Sequence, residues 1–179
     1  MSDFEPFYDV KHSYEDNYEQ GPFGAFAEAL KATPSVTSGD SSPYEGELEK
    51  KTSNGVVGEP GSAAFLGQPV NLPFGIPAGP LLNSRFTTAA FRMGFDLATY
   101  KTVRSRAWGC NPFPNVLAVH PKSADGSLTP GSAELDEGVL ADTDYEQPIS
   151  ISNSFGVPSQ SPDVWQPHMR AAMAAAGLG

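Results

Sequence analysis

The run Val70-Asn-Leu-Pro-Phe-Gly-Ile-Pro-Ala-Gly-Pro-Leu-Leu82 decides the fold class of this chain. Its apolar residues are interrupted by proline and glycine, which is typical of a short buried strand that enters a tight loop. Residues 87–94 follow with a helical pattern that Gly94 is placed to end. Residues 95–102 then have the composition and length of a second strand. A strand, a helix and a strand in this order predict an α/β fold with parallel strands.

The same alternation continues towards the C-terminus. Residues 116–119 and 149–153 have strand-like patterns, and between them lies an acidic insert rich in glycine and serine, residues 123–146. Residues 163–176 have a helical pattern, and Asp163 is placed to cap its start. We therefore expect strands and helices to alternate over most of the second half of the chain.

The first third differs from the rest in charge. The 179 residues carry a net charge of −10, and residues 1–60 hold 12 acidic but only 4 basic side chains. Aromatic residues alternate with acids in residues 1–20, so we expect this stretch to lie against another surface. Residues 23–31 have the spacing of a short amphipathic helix, and residues 33–63 have the composition of a linker. The sequence thus predicts an acidic, partly irregular arm.

Composition also excludes several classes of protein. The acidic balance argues against a nucleic-acid partner, whose phosphates need a basic surface. No apolar run approaches the roughly 18 residues of a membrane span, and the acidic N-terminus does not resemble a secretory signal. Cys110 is the single cysteine, and the three histidines lie far apart, so neither a disulfide nor a metal site is expected. We expect a cytoplasmic protein.

Three strand ends carry small, amide or cationic residues: Pro77-Ala78-Gly79, Lys101-Thr102 and Asn153-Ser154-Phe155-Gly156. Each alone is ordinary turn or surface chemistry. Their recurrence is more informative, because the carboxyl ends of parallel strands open onto one face where ligand loops gather. Glycines there would let the backbone approach a flat ligand, and Lys101 would supply a cation. These residues predict a site for a planar, anionic ligand.

Four ordered elements resemble the dihydroorotate dehydrogenase family. They are Asn71-Leu-Pro-Phe-Gly-Ile-Pro-Ala-Gly-Pro80, Tyr100-Lys-Thr-Val103, Asn111-Pro-Phe-Pro114 and Ile151-Ser-Asn-Ser-Phe-Gly-Val-Pro158. The resemblance covers residues 65–179 and implies the N-terminal portion of a (β/α)8 TIM barrel, preceded by the arm, residues 1–64. It further implies bound FMN and the oxidation of dihydroorotate to orotate in pyrimidine biosynthesis, and it allows a homodimer.

The resemblance also implies roles for individual residues. Lys101 would be catalytic, because a fixed cation beside the flavin and the substrate carboxylate stabilises negative charge on both. The flavin contacts implied are Ala78, Gly79, Lys101 and Thr102, and the substrate contacts are Lys101, Asn153, Phe155, Gly156 and Val157. Asn115 departs from the family, which commonly has an arginine there. No metal is implied.

Length sets a limit on this interpretation. A (β/α)8 barrel takes roughly 250 residues, so residues 65–179 would hold only two or three of its eight units. The catalytic base of the family, a cysteine or serine, would lie beyond Gly179, and we expect the chain alone to be inactive. Two alternatives stay open: a related flavoenzyme acting on another dihydropyrimidine, and a non-catalytic ligand-binding or interaction module.

Four arginines near Lys101 in the sequence have two interpretations. They could form a basic rim around an anionic ligand, or they could be solvated helix and loop positions. The interpretation as solvated positions is favoured for Arg85 and Arg92. The four are Arg85, Arg92, Arg104 and Arg106.

Overall fold

A computed structural model describes residues 6–31, 63–71, 73–122, 138–146 and 150–176. The predicted linker, except its last residue, and most of the predicted insert lie outside the described residues. The helices are α1 (Tyr14–Gln20), α2 (Gly24–Lys31), α3 (Ser84–Arg92) and α4 (Pro162–Ala175). The strands are β1 (Ala63–Phe65), β2 (Gln68–Val70), β3 (Gly75–Ile76), β4 (Leu97–Ala98), β5 (Val116–Val119), β6 (Ala141–Asp142) and β7 (Ser150–Asn153). None of these described helices is long and apolar enough to cross a membrane.

Strands β3 and β4 form the predicted strand–helix–strand unit. They pair in parallel, with Gly75 opposite Leu97 and Ile76 opposite Ala98, and α3 connects them. A β-carbon on Gly75 would collide with the backbone and side chain of Leu97. Glycine is therefore required where the two strands approach most closely, and the parallel pairing predicted for this part of the chain is confirmed.

The second sheet corrects the expectation of parallel strands throughout. Strand β5 lies between β6 and β7 and is antiparallel to both, with Val116 opposite Asn153 at one end of the longer pairing. Strands β1 and β2 are also antiparallel. Antiparallel neighbours need only a chain reversal between them, whereas parallel ones need a crossover connection. The described residues form a mixture of helices and strands and contain no closed barrel.

Capping residues shift the ends of two predicted helices. Helix α3 begins at Ser84 rather than at residue 87, because the Asn83 side chain accepts a hydrogen bond of 3.0 Å from the Arg85 amide. It ends as predicted beside Gly94, whose φ is +93°. Asp163 does not cap α4, so that prediction was wrong. Ser161 occupies the cap and Pro162 opens the first turn, where its missing N–H costs nothing.

The core joins the N-terminal arm to α3. Its buried members are Tyr14, Phe26, Leu81, Leu82, Phe86, Ala89 and Ala90. Helix α2 packs on α3, which in turn packs on α4. Within the arm, the rings of Phe7 and Phe26 stack with their centroids 4.6 Å apart. The expectation that the aromatic stretch of residues 1–20 lies against another surface is confirmed for its described part, residues 6–20.

Arg85 and Arg92 both contact the N-terminal arm; Arg85 is half-buried, whereas Arg92 is exposed on α3, as the favoured interpretation predicted. The Arg85 guanidinium donates hydrogen bonds of 2.6 Å to the carbonyls of Tyr18 and Glu19, and Arg92 donates one of 2.6 Å to Leu30. These carbonyls end α1 and α2, where a cation also offsets the negative end of the helix dipole. Both arginines therefore attach the arm to α3.

Asn17 organises the turn before α1, and its replacement by alanine is expected to loosen the arm. The side chain is buried, and it accepts a 2.8 Å bond from the Asp9 amide while donating 2.9 Å bonds to the carbonyls of Asp9 and Ser13. Leaving these groups unpaired costs about 1–3 kcal/mol of unfolding free energy. Urea denaturation and limited proteolysis of the arm measure the effect. The control His12→Ala, in an exposed ion pair of the same turn, should change stability by less than about 1 kcal/mol. Equal effects of the two substitutions would contradict this role.

Candidate functional site

The carboxyl ends of β3 and β4 bring two of the predicted segments together. The Thr99 amide donates a 2.9 Å hydrogen bond to the Ile76 carbonyl, and the Lys101 amide donates one of 3.1 Å to the Leu81 carbonyl. These bonds hold residues 76–81 alongside residues 99–101. The turn that contains Ala78 and Gly79 therefore lies beside the segment that carries Lys101 and Thr102.

Lys101 is a partly desolvated cation. Its side chain is half-buried, and Nζ lies 3.4 Å from the carbonyl oxygens of Thr102 and Pro158. No carboxylate among the described residues pairs with it. Burial lowers the pKa of Lys101, and the nearby Arg104 guanidinium acts in the same direction. A cation with two long contacts and no counter-ion among these residues is suited to attract an anion.

The contact with Pro158 brings the segment Phe155–Gly156–Val157 next to Lys101. Gly156 and Val157 both have left-handed backbone conformations, with φ of +74° and +54°. The amides of residues 155, 156 and 157 have no hydrogen-bond acceptor among the described residues. Successive amides in a left-handed turn form a concave donor site for anions. The segment can therefore offer three N–H groups to a carboxylate.

Side-chain packing also holds the same segment. The Phe155 ring makes edge contacts with Tyr8 and Tyr14, with centroids 5.7 and 6.0 Å apart. Burial raises the pKa of both tyrosines, so their phenols are neutral at physiological pH. The N-terminal arm thus contacts a residue that the sequence assigned to the substrate.

The other predicted site residues are at the surface. Asn153 ends β7 and is exposed, and neither its side-chain amide nor the Thr102 hydroxyl has a hydrogen-bond partner among the described residues. Gly79 is open, because no atom lies within 4 Å of the place where a β-carbon would sit. All three therefore leave room for a ligand.

Gly156 has a different reason to be glycine from the one that the sequence suggested. A β-carbon there would lie 2.8–2.9 Å from the side-chain atoms of Asn111. The close neighbour is thus the protein itself, and the left-handed φ adds a second demand for glycine.

Two residues near the segment were not assigned to a site from the sequence. Asn111 and Arg104 both donate hydrogen bonds to its backbone carbonyls. The sequence leaves Arg104 open as part of a basic rim or as a solvated loop position. The one available signal was its position three residues after Lys101, which does not indicate which carbonyls it reaches.

Asn115, where the family commonly has arginine, has a structural role. It is buried, and its Nδ2 donates to the carbonyls of Asn111 and Pro112 at 2.8 and 3.2 Å. Its own carbonyl accepts a 2.8 Å bond from the Ser154 amide. Asn115 therefore joins the Asn-Pro-Phe-Pro loop to Ser154, the residue just before the segment Phe155–Gly156–Val157.

Cys110 is unsuited to act as a base. It is half-buried against the core, and burial raises the pKa of its thiol. The thiol is therefore protonated at neutral pH and packs against the core.

An open apolar cleft of about 870 Å³ lies along the strands β1 to β4. Its walls include Phe65, Leu66 and Val70 of the first hairpin, together with Ile76 and Leu97 of the parallel pair. Phe65 and Leu66 are exposed, at 51% and 88%. The faces of β3 and β4 are thus uncovered on this side by the described residues.

The chain is 37% identical over 156 residues to a protein of Dictyostelium discoideum named dihydroorotate dehydrogenase. The similarity covers 86% of this chain and 36% of the relative, so the chain spans about a third of the length of the curated relative that it matches. No protein-family model matches the chain, and neither does any solved structure.

Proposed function

The chain belongs to the dihydroorotate dehydrogenase family, and on that premise we propose that its residues form part of the active site of an FMN-dependent enzyme. The proposed reaction is the oxidation of dihydroorotate to orotate in pyrimidine biosynthesis. The proposed architecture is a (β/α)8 barrel, of which β3, α3 and β4 are one unit. No described residue is assigned as the base that removes the substrate proton.

One observation carries the proposal. Lys101 lies beside three consecutive amides, of residues 155–157, that have no acceptor among the described residues. A cation and neighbouring N–H donors are groups that recognise a carboxylate. Dihydroorotate carries a carboxylate on its ring, so this arrangement would bind and orient it. The exposed amide of Asn153 would hydrogen-bond the pyrimidine ring.

The residues beside Lys101 fit a flavin. The open side of Gly79 and the adjoining Ala78 would let a flat ring system approach the backbone. The Thr102 hydroxyl is exposed and can donate or accept a hydrogen bond. When bound, FMN would supply a two-electron acceptor. Lys101 would then hold positive charge next to both the ring system and the substrate carboxylate, which is where negative charge must be stabilised.

Anaerobic titration of the full-length, FMN-reconstituted protein tests the proposal. We expect dihydroorotate to bleach the visible flavin absorbance to completion and to yield one orotate per flavin. Bleaching by dihydrouracil but not by dihydroorotate would contradict the proposed substrate and favour a related flavoenzyme. A protein that binds no flavin would contradict the proposal altogether and favour a binding module.

A further inference from the structure

We propose that Arg104 and Asn111 are positioning residues, which hold the carbonyls of residues 154–156 so that the amides of residues 155–157 face the substrate carboxylate. The inference rests on the proposed function and deepens it. Neither side chain would touch the substrate. Both would act through the peptide groups between them and the ligand.

Asn111 controls the first two peptide groups of the segment. Its Nδ2 donates a 2.8 Å hydrogen bond to the Ser154 carbonyl, and its amide donates one of 3.2 Å to the Phe155 carbonyl. In a trans peptide the C=O and the following N–H point in opposite directions. Fixing these two carbonyls therefore fixes the amides of Phe155 and Gly156 towards the side away from Asn111.

Arg104 controls the next peptide group. Its Nη2 lies 3.4 Å from the Gly156 carbonyl, and its Nε donates a 3.0 Å hydrogen bond to the Val157 carbonyl. The first contact orients the amide of Val157 by the same geometry. The second holds Val157 in a left-handed conformation that is unfavourable for a β-branched residue.

Arg104 is itself fixed. Its guanidinium lies over the Trp108 ring, 4.8 Å from the centroid. Its backbone amide donates a 3.0 Å hydrogen bond to the Ser159 hydroxyl, and its carbonyl accepts one of 3.1 Å from the Trp165 indole. The two hydrogen bonds hold the main chain of Arg104 against Ser159 and α4, and the Trp108 ring supports the exposed guanidinium.

Polarisation adds to orientation. A donor on a carbonyl strengthens the hydrogen bond that the same peptide group donates on its other side. Asn111 acts without charge, whereas Arg104 also contributes a long-range positive charge. Variants that separate charge from contact can therefore distinguish positioning from simple electrostatic attraction.

Calorimetric binding of orotate to the full-length, FMN-loaded protein tests the inference. We expect Asn111→Ala and Arg104→Met each to raise the dissociation constant of orotate about tenfold. Arg104→Lys keeps the charge but loses the paired contacts, and we expect it to resemble Arg104→Met. The uncharged carboxamide of orotate should change in affinity by less than about threefold. The KM for dihydroorotate should rise while kcat changes little, since the reacting atoms are not contacted.

The matched control is Arg106→Met. Arg106 also lies over the Trp108 ring, 5.4 Å from its centroid, but it contacts no carbonyl among the described residues. Replacing it by methionine therefore removes the same charge as Arg104→Met without removing a backbone contact. We expect this variant to bind orotate with an affinity within about twofold of the parent. If it loses as much affinity as Arg104→Met, or if Arg104→Lys binds like the parent, attraction by charge alone accounts for the data and the inference is overturned.

Two further checks keep the test decisive. Thermal midpoints and flavin content identify variants that fail to fold. Asn111→Leu keeps the approximate size of the side chain and adds no charge while losing its Nδ2 donor, so it replaces Asn111→Ala if that variant is unstable. Parent-like orotate binding in both Asn111 variants would overturn the role of its side chain. A parent protein that binds FMN but not orotate would instead contradict the proposed function.

Discussion

Replacing Lys101 by alanine is expected to slow flavin reduction by dihydroorotate about 100- to 1000-fold in the full-length protein, the usual effect of removing one pre-organised charge or donor from an active site. Lys101 is half-buried and has no counter-ion among the described residues, so its charge is weakly screened. Its loss would leave a carboxylate in the same place without a cation. We expect both the affinity for dihydroorotate and the rate of flavin reduction to fall.

Stopped-flow absorbance of the flavin under anaerobic conditions measures this effect. The control is Lys31→Ala, which removes an exposed lysine paired with Glu28 at 2.7 Å and should leave the rate unchanged. A parent-like rate in Lys101→Ala, with normal flavin content, would remove Lys101 from the site. A reduced rate in both variants would point to a general effect of charge.

Replacing Phe86 by alanine is expected to produce the largest loss of stability, about 3–5 kcal/mol of unfolding free energy. The ring is completely buried in the cluster that joins α3 to the N-terminal arm. It also fills the space beside Gly21, where even a β-carbon would lie 2.7 Å from the ring. A cavity there would weaken the packing of α1, α2 and α3 together.

Urea denaturation followed by circular dichroism measures the change. Phe74→Ala is the matched control, because Phe74 is 59% exposed and its ring contact among the described residues is an edge contact with Phe95. We expect the control to cost less than about 1.5 kcal/mol, the upper range for an aromatic pair. A similar loss from both variants would show that burial of Phe86 is not what stabilises the cluster.

The local parts of the fold could be predicted from the sequence. The apolar spacing of residues 87–93 and the glycine after them, Gly94, are enough to place α3 and its end, because both signals act within a few residues. The start of α3 depends on the Asn83 side chain, which lies before the residues that carry the helical pattern. The direction of β7 depends on which strand it meets, and its composition does not encode that partner.

The candidate site also contains residues that the sequence could predict and residues that it could not. Lys101 and Gly79 follow strands, so a sequence pattern places them at one edge. Asn111 and Arg104 act on residues more than 40 positions away, through loops whose course no pattern specifies. Arg85 and Arg92 show the converse: they stand near Lys101 in the sequence, yet their guanidinium groups bind the ends of α1 and α2.

The contact of Tyr8 and Tyr14 with Phe155 has a consequence for biosynthesis. The ribosome releases the two tyrosines long before it makes their partner, so during translation their rings face water or a chaperone. When residues 155–157 emerge from the ribosome, the tyrosine rings that they contact have already been synthesised. Proteins that lack residues 8–14 are therefore expected to reach a ligand-binding state slowly, even where the later part of the chain is intact.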